Sequence, residues 1–113
     1  MEPDDFSDTV NAGMATEREK KQAGARLALT RRALGYDTQT RFVKALNSVY
    51  PMTTARWNNY ETGDLRVTVP VALAMCVRFD LSLDWIYRGV RANLPPEIRQ
   101  KIEDREIADR EGR

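Results

Sequence analysis

The segment Met52-Thr-Thr-Ala-Arg-Trp-Asn-Asn-Tyr-Glu-Thr-Gly63 gathers the side chains with the clearest recognition chemistry in this 113-residue chain. An asparagine amide can bond bidentately to adenine N6/N7. A threonine can hydrogen-bond a base or touch a thymine methyl, and an alanine can pack on that methyl. An arginine can pair with guanine O6/N7 or with a phosphate. Thr53, Thr54, Ala55, Arg56 and Asn59 supply that set within seven positions. Read alone, the same residues form a solvated helix face, with Thr53 as its N-cap.

Such a face needs a helix to carry it and an inner side to bury. Thr53 caps a predicted helix that ends near Glu61, with Gly63-Asp64 as the turn after it. Trp57 and Tyr60, three residues apart, mark its buried side and read as core rather than as stacking platforms. Upstream, Thr16-Glu-Arg-Glu19 is a capping box opening a helix to about Leu34, with Ala23, Leu27 and Leu34 on one face and Gly35 as a left-handed stop. Thr38 caps a second helix, Gln39 to Leu46, with a stripe of Phe42, Ala45 and Leu46. Residues 47–51 connect it to the third, with Pro51 as breaker.

Pro70 suits the first turn of a fourth helix through Phe79, for which Val69, Leu73, Cys76 and Val77 are expected to face inward. Ser82 or Asp80 caps a short fifth helix, Leu83 to Arg88, expected to bury Leu83 and Ile86 and to stop at Gly89. Trp85 and Tyr87 flank Ile86, and the three cannot all be buried. After Asn93-Leu-Pro-Pro96, residues 97–110 are predicted helical, with Ile98 and Ile102 as a thin stripe and Glu97–Lys101 and Glu106–Arg110 as i,i+4 pairs.

Composition narrows the function classes. There is no histidine and one cysteine, so neither a nitrogen–sulfur zinc site nor a histidine acid–base catalyst can be assembled. Cys76 lacks a base to activate it and reads as a small hydrophobe. With no nucleophile–base pair and no phosphate-cradling glycine loop, the chain is not expected to be an enzyme, and no cofactor or metal is expected. The lone cysteine fits a reducing cytosol. No apolar run is long enough to span a membrane, and the acidic N-terminus is unlike a signal peptide.

The net charge of +1 conceals a sorting along the chain. Residues 1–15 carry −4, residues 16–66 carry +5, residues 67–92 carry +1 and residues 93–113 carry −1. The basic part coincides with the recognition segment, as a phosphate backbone would require. The expected organisation is an acidic disordered arm over 1–15, a compact domain over 16–92 and a partly helical tail over 93–113.

Four pieces in order resemble the lambda-repressor-like (Cro/XRE-type) helix-turn-helix family. Arg31-Arg-Ala-Leu-Gly35 looks like the end of its first helix. Thr38-Gln-Thr-Arg-Phe-Val43 looks like the start of its second. Trp57-Asn-Asn-Tyr-Glu-Thr-Gly63 looks like its third helix, and Leu81-Ser-Leu-Asp-Trp-Ile-Tyr-Arg-Gly89 like its ending. The likeness covers about residues 23–89.

The resemblance implies an all-α, five-helix fold and a sequence-specific, double-stranded DNA-binding transcription regulator, a repressor, acting as a cytoplasmic homodimer. It places Thr53, Thr54, Ala55, Arg56 and Asn59 against base edges. It places Gln39, Arg41, Lys44, Asn58, Thr62 and Arg66 near phosphates, Gln39 either there or as a brace for the third helix. It makes Arg31 and Glu61 a structural ion pair bridging the first and third helices. The fifth helix and the Ile98/Ile102 tail are the expected dimer surfaces. Two departures stand out: Asp37 is an extra residue before the second helix, and residues 47–51 exceed the family's tight turn by about four residues, which predicts an altered angle for the third helix. The alternative reading is an antitoxin-like interaction module in which residues 93–113 grip a partner protein and DNA binding is autoregulatory.

Overall fold

The computed structural model describes the backbone of residues 5–112 and the side chains of residues 17–112. Of the arm expected over 1–15, residues 1–4 lie outside the described backbone; α1 begins at Asp5, so Thr16 falls within the helix rather than at its start. Among the described residues the chain is all-helical. It runs through α1 (Asp5–Ala33), α2 (Gln39–Leu46), α3 (Thr54–Thr62), α4 (Val69–Phe79), a short π-helical turn α5 (Asp84–Arg88) and α6 (Pro96–Arg110). None of these helices is long and apolar enough to cross a membrane.

The helix ends follow the local chemistry of the sequence. Gly35 takes φ +95°, and the Tyr36 amide bonds back to the Arg31 carbonyl, satisfying an acceptor the helix end would orphan. Thr38 and Thr53 both hold extended backbone, and their side chains accept from the amides of Arg41 and Arg56. Gly63, at φ +83°, closes α3. The Ser82 hydroxyl accepts from the Trp85 amide at the entry to α5, while Asp80 takes a left-handed conformation that ends α4.

The core lies between α2, α3 and α4 and is dominated by aromatic rings. Phe42 is its hub: its ring lies 4.5 Å from Trp57 and stacks on Phe79 at 4.7 Å, and Tyr36 meets it edge-on at 5.6 Å. Trp57 and Tyr60 are buried and in edge contact, as their spacing predicts. α1 packs chiefly on α3 and on α6. Leu94 and Ile102 join the same core as Leu27, Met75 and Ile86.

Two inward faces and the ion pairs of α6 differ from expectation. On α4, Val71, Ala72, Ala74, Met75 and Phe79 are buried, whereas Val69, Leu73 and Val77 are 57%, 48% and 77% exposed. Apart from Pro70 and Arg78, every residue of α4 is apolar, so periodicity cannot say which side meets the core. On α5, Leu83 is exposed and Trp85 takes the buried place beside Ile86, its indole donating to the Thr30 hydroxyl at 2.9 Å. Tyr87, half-buried, donates to the Val67 carbonyl.

On α6, Glu106 pairs bidentately with Arg91 at 2.6 and 2.8 Å rather than with Arg110. Asp109 takes Arg32 and Arg105, and Glu97 makes no ion pair with Lys101. A planar guanidinium fork facing a carboxylate outcompetes an exposed i,i+4 pair of long flexible side chains.

Candidate nucleic-acid interface

The candidate surface is the outer side of α3, and what fixes it is the chemistry of its inner side. Glu61, the one acidic residue of α3, turns inward. Its carboxylate accepts from Arg31 Nε at 2.7 Å and Nη2 at 3.3 Å, from Gln39 Nε2 at 2.9 Å and from the Trp57 indole. The Arg31 and Glu61 side chains are only 10% and 7% exposed. Arg31 also donates to the Tyr36 carbonyl. One carboxylate thus ties α1, α2 and α3 together. Burying that charge is tolerable because every strong acceptor position meets a donor.

Backbone proximity supports the same junction. A Cβ on Gly24 would lie 2.5 Å from the Glu61 carbonyl oxygen and 2.7 Å from that of Tyr60, so α1 crosses the end of α3 where only glycine fits. The expected Arg31–Glu61 pair is therefore present, with Gln39, Trp57 and Gly24 as further members.

Gln39 reaches from the first residue of α2 across to α3. It also donates to Asn58 Oδ1 at 3.1 Å. Of the two roles expected for Gln39, its amide performs the bracing one.

The long connection between α2 and α3 is closed rather than loose. Backbone bonds carry a helical turn on through Tyr50, with the Val49 and Tyr50 amides both meeting the Leu46 carbonyl. Asn47 then clamps the remainder: its amide nitrogen donates to the carbonyls of Val43 and Met52, each at 2.8 Å, and its oxygen accepts from the Met52 amide at 3.1 Å. Met52 is buried in the core just before the cap of α3.

The outer side of α3 carries Ala55, Asn58, Asn59 and Thr62 at i, i+3, i+4 and i+7, one helical stripe. Ala55, Asn58 and Thr62 are exposed and Asn59 is half-exposed. Thr54 is half-exposed at the N-terminus beside the cap, Thr53. The structure thus places four of the five expected base-facing residues, Thr53, Thr54, Ala55 and Asn59, on or beside one surface. It also groups Asn58 and Thr62 with them rather than with the peripheral cations. Arg56 is exposed, but its Nε donates to the Tyr60 hydroxyl at 2.9 Å, which lays its guanidinium along the helix.

The other expected residues lie on α2 and in the segment after α3. Lys44 is exposed and makes no ion pair among the described residues. Arg41 meets Asp37 at 3.2 Å with both side chains exposed, and Arg66 approaches Glu19 at 3.7 Å. Exposed pairs of this kind hold little energy and release a cation readily. The outer stripe of α3 is small and polar, the flanking segments carry the exposed cations Lys44, Arg41 and Arg66, the last two beside Asp37 and Glu19, and the one carboxylate of α3 is buried.

Burial alone pushes the Cys76 thiol pKa up, away from the thiolate form, in keeping with an apolar filler. Arg26 carried no sequence signal beyond its charge. Its guanidinium donates to the carbonyls of Trp85 and Ile86 at 2.8 and 3.0 Å, capping α5 from α1. Compared with known proteins, the chain matches no family model, no curated protein and no solved structure.

Proposed function

We propose that this protein binds double-stranded DNA in a sequence-specific manner as a transcriptional regulator of the lambda-repressor-like helix-turn-helix kind, laying the outer side of α3 in the major groove. The observation that carries this reading is the orientation of α3. Its single carboxylate is consumed in a buried junction, and its outward stripe consists only of small, amide and hydroxyl side chains. The major groove admits an α-helix, and the amide and hydroxyl groups of this stripe match the donors and acceptors that base edges present there. Asn59 and Thr54 then read base edges, with Asn58 and Thr62 alongside, while Arg41 and Lys44 on α2 meet the flanking phosphates. The capped N-termini of α2 and α3 add a partial positive charge.

The rival reading, capture of a partner protein by residues 93–113, has little surface to use. Ile102 is fully buried and Ile98 is packed on the core. What remains outward on α6 is largely charged, with Ile107 the one large apolar side chain exposed there.

Fluorescence anisotropy with a labelled duplex of mixed sequence tests the DNA step. Binding should weaken steeply between about 50 and 200 mM salt. Lys44→Glu should weaken it further without altering the thermal transition. Absence of duplex binding at the lower salt would overturn the proposal.

A further inference from the structure

The exposed side of α4 carries an apolar stripe over two helical turns, with Arg78 exposed beside it and its Nε donating to the Ala45 carbonyl at 3.3 Å. Val69, Leu73 and Val77 recur at i, i+4 and i+8, a stripe about 12 Å long by helix rise. The fifth helix and the tail, expected as dimer surfaces, instead bury Trp85, Ile86 and Ile102 inside the protomer. Among the described residues α4 exposes three large apolar side chains in one stripe, whereas Leu83 at the start of α5 and Ile107 on α6 stand singly.

Its ends show what would cover it. The N-terminus of α4 has no side-chain cap: Thr68 makes no such bond and the first turn has no acidic residue. At the other end Asp80 is exposed in a left-handed C-cap, where a carboxylate opposes the negative end of its own helix. Arg66, just before the N-terminus, is exposed and only loosely approached by Glu19 at 3.7 Å.

We propose that α4 pairs antiparallel with α4 of a second copy, about a two-fold axis at Leu73. Leu73 then meets its own equivalent and Val69 meets Val77 of the partner copy, because residues equally spaced from the axis face each other in an isologous contact. Asp80, seven residues after Leu73, falls opposite Arg66, seven residues before it. The carboxylate that is misplaced on its own helix thereby lies at the uncapped, positive end of the other. The same register joins the apolar stripe, the vacant cap and the two opposite charges, which is the complementarity a self-pairing surface requires. A stripe of three side chains is smaller than the ~800 Å² per partner of a standard interface, so association is expected to be weak and concentration-dependent.

The proposal does not rest on the DNA reading, since it concerns the free protein. Sedimentation of the full chain across concentration should show mass rising from 13.0 kDa toward twice that value. Val77→Asp, at a position exposed in the protomer, should shift the midpoint at least tenfold to higher concentration with an unchanged circular dichroism spectrum. In a Cys76→Ala background, Leu73→Cys should form a symmetric disulfide on mild oxidation. Val69→Cys mixed with Val77→Cys should give the crossed product in preference to either self-linked one. A monomer at all concentrations would overturn the proposal. So would a dimer indifferent to Val77→Asp, or a failure of Leu73→Cys to cross-link within a dimer.

Discussion

α3 and α4 are neighbours in sequence, similar in length, and each leaves one side in solvent, yet their exposed sides have opposite character. α3 has two large apolar residues, Trp57 and Tyr60, and both are buried, so the outward stripe is left to small and polar side chains, with the exposed Arg56 laid along the helix toward Tyr60. α4 is apolar nearly all round, so the core takes one side and leaves Val69, Leu73 and Val77 uncovered. The comparison teaches that an exposed surface has two separate origins. On α3 it is what remains once a strict inward pattern is satisfied. On α4 it is a surplus of the same material that builds the core.

The largest effect should come from removing the group that orients α3. Glu61→Ala leaves Arg31 as an uncompensated buried charge and frees Gln39 and the Trp57 indole, at a cost of about 3–5 kcal/mol in denaturant unfolding. If that cost were below about 1 kcal/mol, the junction would not be what orients the helix.

The two sides of α4 should respond unequally to the same truncation. Met75→Ala, at a fully buried position, should cost about 2–5 kcal/mol. Leu73→Ala, half exposed, should cost well under half as much in the protomer. Equal costs measured at a dilution where the chain is monomeric would mean that the assignment of the two sides is wrong.

Next in size is the clamp in the α2–α3 connection. Asn47→Ala orphans the Met52 amide and carbonyl and should cost about 1–2 kcal/mol. Amide hydrogen exchange should rise at residues 48–53 while that of α4 is unchanged.

The smallest effect concerns acid. The hydrogen bond and charge of Arg91 hold the Glu106 carboxyl below its usual pKa. A depressed native pKa means that the unfolded chain binds the proton first, so the contribution is complete above the ordinary glutamate pKa and is lost as pH falls through the native one. Glu106→Gln should therefore flatten the acid limb of the stability profile and leave stability changed by a constant amount near neutral pH.

Much of α1 to α3 was legible in the sequence because each inference rested on a local rule. Thr38 and Thr53 cap, Gly35 and Gly63 stop, and the two aromatic residues of α3 have only one way to face. The Arg31–Glu61 pair came from the family resemblance, and the geometry agrees with it. What escaped notice depends on approach between distant segments. Gly24 matters because α1 crosses α3 there, 37 residues away in sequence from Glu61. Arg26 caps a helix end 59 residues onward, and no local pattern announces such a bond. Asn47 carries no local signal beyond its place in a connection, although its side chain closes that connection through bonds to Val43 and Met52. The face of α4 was unreadable for a different reason: an all-apolar helix has no contrast from which to infer direction.

Selection from a randomised duplex pool tests the central claim most directly, with the wild-type chain compared against the Thr54→Ala, Asn59→Ala double variant. Both residues lie outward on α3 and neither makes a side-chain bond within the described structure, so folding should be unaffected to within about 0.5 kcal/mol. The account predicts enrichment of a defined motif by the wild type and a relaxed or absent motif with the variant, at similar mixed-sequence affinity. The same motif enriched by both proteins, or none by the wild type, would contradict the assignment of α3 as the reading helix.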